Sequence, residues 1–77
     1  MRRDEWLSGF CERLGLEPPG KEEVVALLDL AATAAHASER TAAPLACWVA
    51  GRSGRSLEEL GEIAEEVAPA PPADEQA

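Results

Sequence analysis

Tyrosine is absent from this 77-residue chain, and Phe10, His36 and Lys21 are the single residues of their kinds. Acid–base chemistry near neutral pH therefore rests on one imidazole, His36, and enzymes need a nucleophile beside a base or carboxylates paired in a cleft. No motif of either sort occurs, so the chain is not expected to be an enzyme. Cysteine is also sparse. Cys11 and Cys47 form no C-x-x-C pair, and with His36 they give three scattered ligands, where structural zinc takes four, often as close pairs. No metal and no cofactor are expected.

Positive charge is scarce as well. Seven Lys and Arg stand against fifteen Asp and Glu, for a net charge of −8 and a pI near 4.4. That balance disfavours non-specific nucleic-acid binding, which needs basic patches to neutralise phosphates. It disfavours an anionic membrane surface for the same reason. The longest apolar run, about fourteen residues from Val24, is interrupted by Asp29, and a membrane span needs ~20. The opening MRRDEW has no apolar core of a signal peptide. The expectation is a cytoplasmic protein whose two thiols are reduced core residues, with a disulfide only if their helices meet.

What is present is helix-forming sequence, organised around residues 24–51. With 100° per residue from Val24, Leu27, Leu28, Ala31, Ala34, Ala35 and Ser38 join Val24 on one side. Asp29, Thr33, His36 and Arg40 fall together on the opposite side. The pattern predicts an amphipathic helix ending near Arg40, with Leu30, Ala26 and Ala37 on a flank. Pro44 suits the first turn of a further helix, predicted over residues 44–52 with Thr41 as N-cap. Leu45, Trp48 and Val49 share one side of it. Ala43, Cys47, Ala50 and Gly51 make the other side small. Being apolar nearly all round, it is expected to be the most buried helix, and Trp6 and Trp48 are expected in the core.

The first helix is predicted from Arg3 to Leu14, with Trp6, Leu7, Phe10, Cys11 and Leu14 in one arc and Gly15 as a left-handed terminator. Glu17-Pro18-Pro19-Gly20 is a rigid connector. The last helix is predicted from Leu57 to Val67. Ser56 and Glu59 form an S-x-x-E capping box, with Leu60, Ile63, Ala64 and Val67 inward and five glutamates outward. From Ala68 the composition turns to APAPPADEQA, which cannot build a packed core. The expected organisation is one all-α domain over residues 1–67, a compact four-helix bundle or orthogonal helical array, with a disordered tail over residues 68–77.

Two groups of residues are candidate sites. The stripe Asp29, Thr33, His36 and Arg40, with the connector to Pro44, presents mixed charge on one helix face and suits a protein partner. The loop holding Arg52 and Arg55 precedes a helix N-terminus, a combination that can hold an anion. It lacks the P-loop spacing and lysine, and Glu58 and Glu59 follow at once.

The pieces D-E-W-L near the start, L-G-L at 14–16, L-L-D-L-A at 27–31 and A-H…R-x-A-A-P-L at 35–45, with the G-R pair at 51–52, resemble a small domain of unknown function from high-GC Gram-positive bacteria. That domain occurs alone or fused behind a nucleotidyltransferase similar to molybdenum-cofactor guanylyltransferases. Thr41 and the pair Ala46-Cys47 depart from it: proline stands in the family at the first, and threonine or another small polar residue at the second. The resemblance implies a context, molybdenum cofactor nucleotidylation or formate dehydrogenase maturation. It implies no activity, and its motif positions fall on His36, Arg40, Pro44 and Leu45. The expected function is therefore a non-catalytic helical accessory domain acting by protein contact. A small-ligand or nucleotide module using Arg40, Arg52 and Arg55 is a second class. A self-associating domain, a homodimer through the small side of the third helix, is a third.

Overall fold

Each helix begins and ends where a local bond replaces one that the helix cannot make itself. The computed structural model describes residues 1–69, which form α1 (Arg3–Leu14), α2 (Lys21–Ala37), α3 (Ala42–Ser53) and α4 (Leu57–Val67). The described residues contain no strand, so the all-α four-helix reading holds. Residues 70–77, most of the expected tail, lie outside the described residues.

The helix starts use acidic side chains. The Glu5 carboxylate accepts from the Arg2 N–H at 3.3 Å, and the Glu23 carboxylate accepts from the Gly20 N–H at 2.8 Å. α1 stops at Gly15, whose φ of 72° is left-handed; its N–H and that of Leu16 bond back to Glu12 and Cys11 at 3.2 and 2.9 Å. This is the Schellman closure the sequence predicts. At α4, the Ser56 hydroxyl accepts from the Glu59 N–H at 3.1 Å. The other half of the expected box is replaced: Arg55 takes the Glu59 carboxylate at 2.6 Å.

Two boundaries shift from the expectation. α2 ends at Ala37, before Arg40, because the Ser38 hydroxyl and N–H both turn back to the Ala34 carbonyl, at 3.0 and 3.2 Å. A hydroxyl that competes for a helical carbonyl is a usual way to close a last turn. α3 begins at Ala42 rather than Pro44. The turn bonds Ala42 N–H to Glu39 C=O (2.9 Å) and Ala43 N–H to Arg40 C=O (3.2 Å) lead straight into it. Pro44 still sits in the first turn, where its missing N–H costs nothing. Thr41 is the residue before the helix, but its backbone is already helical and its hydroxyl caps nothing.

α2 is the shared floor. α3 and α4 both pack on it, and Leu30 is the most buried large side chain among the described residues, 6% exposed. The inward face of α2 is rotated from the expected one. It runs through Leu27, Leu30, Ala34 and Ala37, while Leu28 and Ser38 lie outside. The residues assigned to a flank thus make the centre, because α3 and α4 both rest on that side, whereas α1 meets α2 only at its start.

α3 is less buried than its nearly all-round apolar sequence predicts, and Trp48 is not in the core. Its small side, with Ala43, Ala46, Cys47 and Ala50, faces α2, and Ala50 is buried. Its large side faces out, with Leu45, Trp48 and Val49 each more than 60% exposed. Small residues let two helix backbones approach closely, and here that geometry takes precedence over burying the larger groups. Trp6 is also exposed, so neither tryptophan is a core residue. α1 meets the start of α2, where Leu7 lies near Pro18, Pro19 and Val24, and it buries Cys11. Cys11 and Cys47 are both free thiols.

Candidate protein-docking surfaces

The polar stripe is divided by α4. Thr33 is half-buried, and its hydroxyl lies 3.1 Å from the Asp29 carbonyl and 3.2 Å from a Glu65 carboxylate oxygen. One hydroxyl proton serves one acceptor at a time, so Thr33 either closes on its own helix or ties α2 to α4. His36 is exposed and lines a shallow depression with Thr33, Glu65 and Pro69. Asp29 and Arg40 are exposed, Arg40 within the α2–α3 turn, and Pro44 is exposed in the first turn of α3. Glu65 is the residue that sequence reasoning missed here. It reads as one of five surface glutamates, and nothing local in the sequence ties it to a helix 32 positions away.

Arg52, in the last turn of α3 rather than in the expected loop, and Arg55 are each engaged within the chain. Arg55 is paired with Glu59, and the Arg52 guanidinium lies over the Trp48 ring, 4.6 Å from its centroid. Stacking of a cation on an indole is attractive, and it ties the arginine to the outer face of α3 rather than to the α4 N-terminus. At the other end of the chain, Arg3 meets Asp4 at 2.8 Å. The hydrogen bond that Arg3 donates to Asp4, and then the Asp4 charge, hold the Arg3 guanidinium above its usual pKa.

The outer face of α3 is a continuous patch of Leu45, Trp48 and Val49, edged by Arg52. On α1, Trp6 and Phe10 stack with ring centroids 4.9 Å apart and planes at 26°, and Leu14 continues the row one turn on. Between α3 and α4 lies a groove of about 610 Å³. Leu30 and Ala34 form its floor, Ala46 and Val49 one wall, and Ile63 and Val67 the other. No charged side chain lines it. Such surfaces bind other apolar surfaces, and exposed patches of this kind mark interaction sites.

No helix among the described residues is long and apolar enough to cross a membrane, and those residues hold no cluster of three or more potential metal ligands. No curated protein and no solved structure matches the chain. The model of one family, described as "Domain of unknown function (DUF6457)", matches residues 1–75, and this chain belongs to that family.

Proposed function

We propose that the chain is a non-catalytic helical interaction domain, and that a protein partner docks on the outer face of α3 through Leu45, Trp48 and Val49, with Arg52 at the edge. The observation that carries this reading is the orientation of α3. A small domain has little apolar surface to stabilise it, yet this one turns its largest helix-borne side chains away from the core. Tryptophan and arginine are the side chains most enriched where binding energy concentrates, and here they are stacked together. The net charge of −8 supports a protein partner over nucleic acid or an anionic lipid surface, both of which it disfavours.

The resemblance in the motif positions His36, Arg40, Pro44 and Leu45 supplies a context for that partner: a molybdenum-cofactor nucleotidyltransferase, or a factor in formate dehydrogenase maturation. The polar stripe of Asp29, His36 and Arg40 is the second surface to test. The experiment is affinity capture of the tagged chain from lysate of its source organism, followed by binding of the purified partner in solution. Trp48→Ala and a His36→Ala/Arg40→Ala double variant run beside the wild type. Loss of the nucleotidyltransferase or maturation factor with Trp48→Ala, and its retention by the double variant, is the expected result. The reverse pattern moves the contact to the stripe. Equal recovery by all three removes both surfaces.

A further inference from the structure

We propose that residues 70–77 seat in the α3–α4 groove of their own chain as an extended strap, with residues 70–73 against its apolar walls and Asp74 and Glu75 at the end marked by Arg52 and Arg55. The chain leaves α4 along this groove: Ala68 and Pro69 line it beside Ala37 and Ala42. Ala68 already has polyproline geometry, with φ −60° and ψ 137°. Residues 69–73 read Pro-Ala-Pro-Pro-Ala, a composition that holds this conformation at little entropic cost.

The occupant suits the lining. Alanine makes much of the floor and of the α3 wall, at Ala34, Ala46 and Ala50, and no charged side chain enters. Such a lining penalises every N–H that is buried without a partner. Residues 69–73 bring only two, from Ala70 and Ala73, because proline has none. The lining is also small. A separate molecule would need a wider contact, whereas a tethered segment acts at an effective concentration on the order of mM, so weak contacts keep it seated.

Length and charge set the direction. Ala68 and Pro69 lie level with Ala37, at the C-terminal end of α4, so the strap turns back and runs antiparallel to that helix. Residues 70–74 advance about 16 Å in the polyproline form. The α4 wall from Leu60 to Val67 is about 11 Å long, and the turn takes up the difference. Asp74 and Glu75 then emerge by Ser53, where Arg52 and Arg55 stand and where Glu59 shares Arg55 with them. The other path from Pro69 crosses the depression of His36 and runs past Glu65, which brings carboxylate toward carboxylate.

The strap does not depend on the docking of a partner. Val49 borders both the groove and the docking face, so it stays unchanged and the two readings fail separately. The test is NMR on the isotope-labelled full chain. Nuclear Overhauser contacts are expected from the ring protons of Pro71 and Pro72 to the methyls of Ala46, Ile63 and Ala64. They are lost in the full-length Pro71→Ser/Pro72→Ser variant, whose four helices are untouched, and the amide signals of residues 60–64 shift with them. Asp74→Lys/Glu75→Lys weakens the contacts, as does high salt on the wild type. Trp48→Ala leaves them in place. Absence of the contacts, with identical amide signals in the wild type and the double proline variant, overturns the proposal. Contacts to Thr33 and His36 in their place overturn it too, as do contacts that isotope-filtered spectra of mixed labelled and unlabelled chain assign to two molecules. Undiminished contacts in the lysine variant overturn the placement of Asp74 and Glu75. Partner capture by the double proline variant reports on the docking face alone, whichever way the strap result falls.

Discussion

Replacing Trp48 with alanine should cost this fold less than replacing Leu30, although tryptophan is much the larger side chain. Trp48 is 65% exposed, which leaves about a third of it covered. Taking a full tryptophan as roughly 250 Å², that cover is about 90 Å² and is worth at most about 2 kcal/mol at ~25 cal/mol per Å². Arg52, on the same helix, supplies part of it, so the expected loss is about 1 kcal/mol. Leu30 is 6% exposed beneath both α3 and α4. Leucine-to-alanine changes at such positions cost ~2–5 kcal/mol. Because the groove opens above it, we expect about 3 kcal/mol. In a domain with only ~3–5 kcal/mol in hand, Leu30→Ala should leave a substantial unfolded fraction while Trp48→Ala stays folded. Urea titration followed by far-UV circular dichroism measures both, at a concentration where the chain is monomeric, since association adds apparent stability. In thermal scans the tryptophan variant should melt about 4–8 °C lower. A loss of 3 kcal/mol or more for Trp48→Ala, or a larger loss than for Leu30→Ala, would refute the outward orientation of Trp48 and with it the docking surface.

Smaller perturbations test the helix ends. Ser56→Ala removes the side-chain acceptor for the Glu59 N–H and should cost about 1 kcal/mol, read as a shift in urea midpoint with an unchanged slope. Gly15→Ala places a Cβ at φ 72°; nothing stands within 4 Å of it, so any loss is backbone strain alone, about 1 kcal/mol, and Gly15→Asn should recover part of it. Arg55→Gln breaks an exposed pair and should lower stability by only ~0.3–0.5 kcal/mol at low salt, with the difference vanishing at high salt.

The boundaries of α1 and α4 were legible because single residues with strong local preferences mark them: Gly15 for the left-handed turn and Ser56 for the cap. The end of α2 was less so, since Ser38 can sit in a helix or close one, and only its bond to Ala34 decides. The facing of α2 and α3 was not legible. Apolar residues cover more than half the circumference of each, so hydropathy permits several inward arcs. The choice is made by which arc admits a neighbouring backbone closely, and that depends on helices distant in sequence. The candidate site shared this limit. The stripe from Asp29 to Arg40 was readable as a face, but the contact of Thr33 with Glu65 belongs to the packing of α4.

The seam between α2 and α3 has a consequence for how this chain can change. Alanine has no rotatable side-chain dihedral, so an alanine seam gives up almost no side-chain entropy on folding and depends little on what stands elsewhere on the helix. Positions 45, 48 and 49 are on the far side of that seam. Their identities can be exchanged one at a time at a cost of about 1 kcal/mol or less each, with the seam itself untouched. The architecture thereby separates the residues that hold α2 and α3 together from those on the outer face of α3, which can change without remaking the seam.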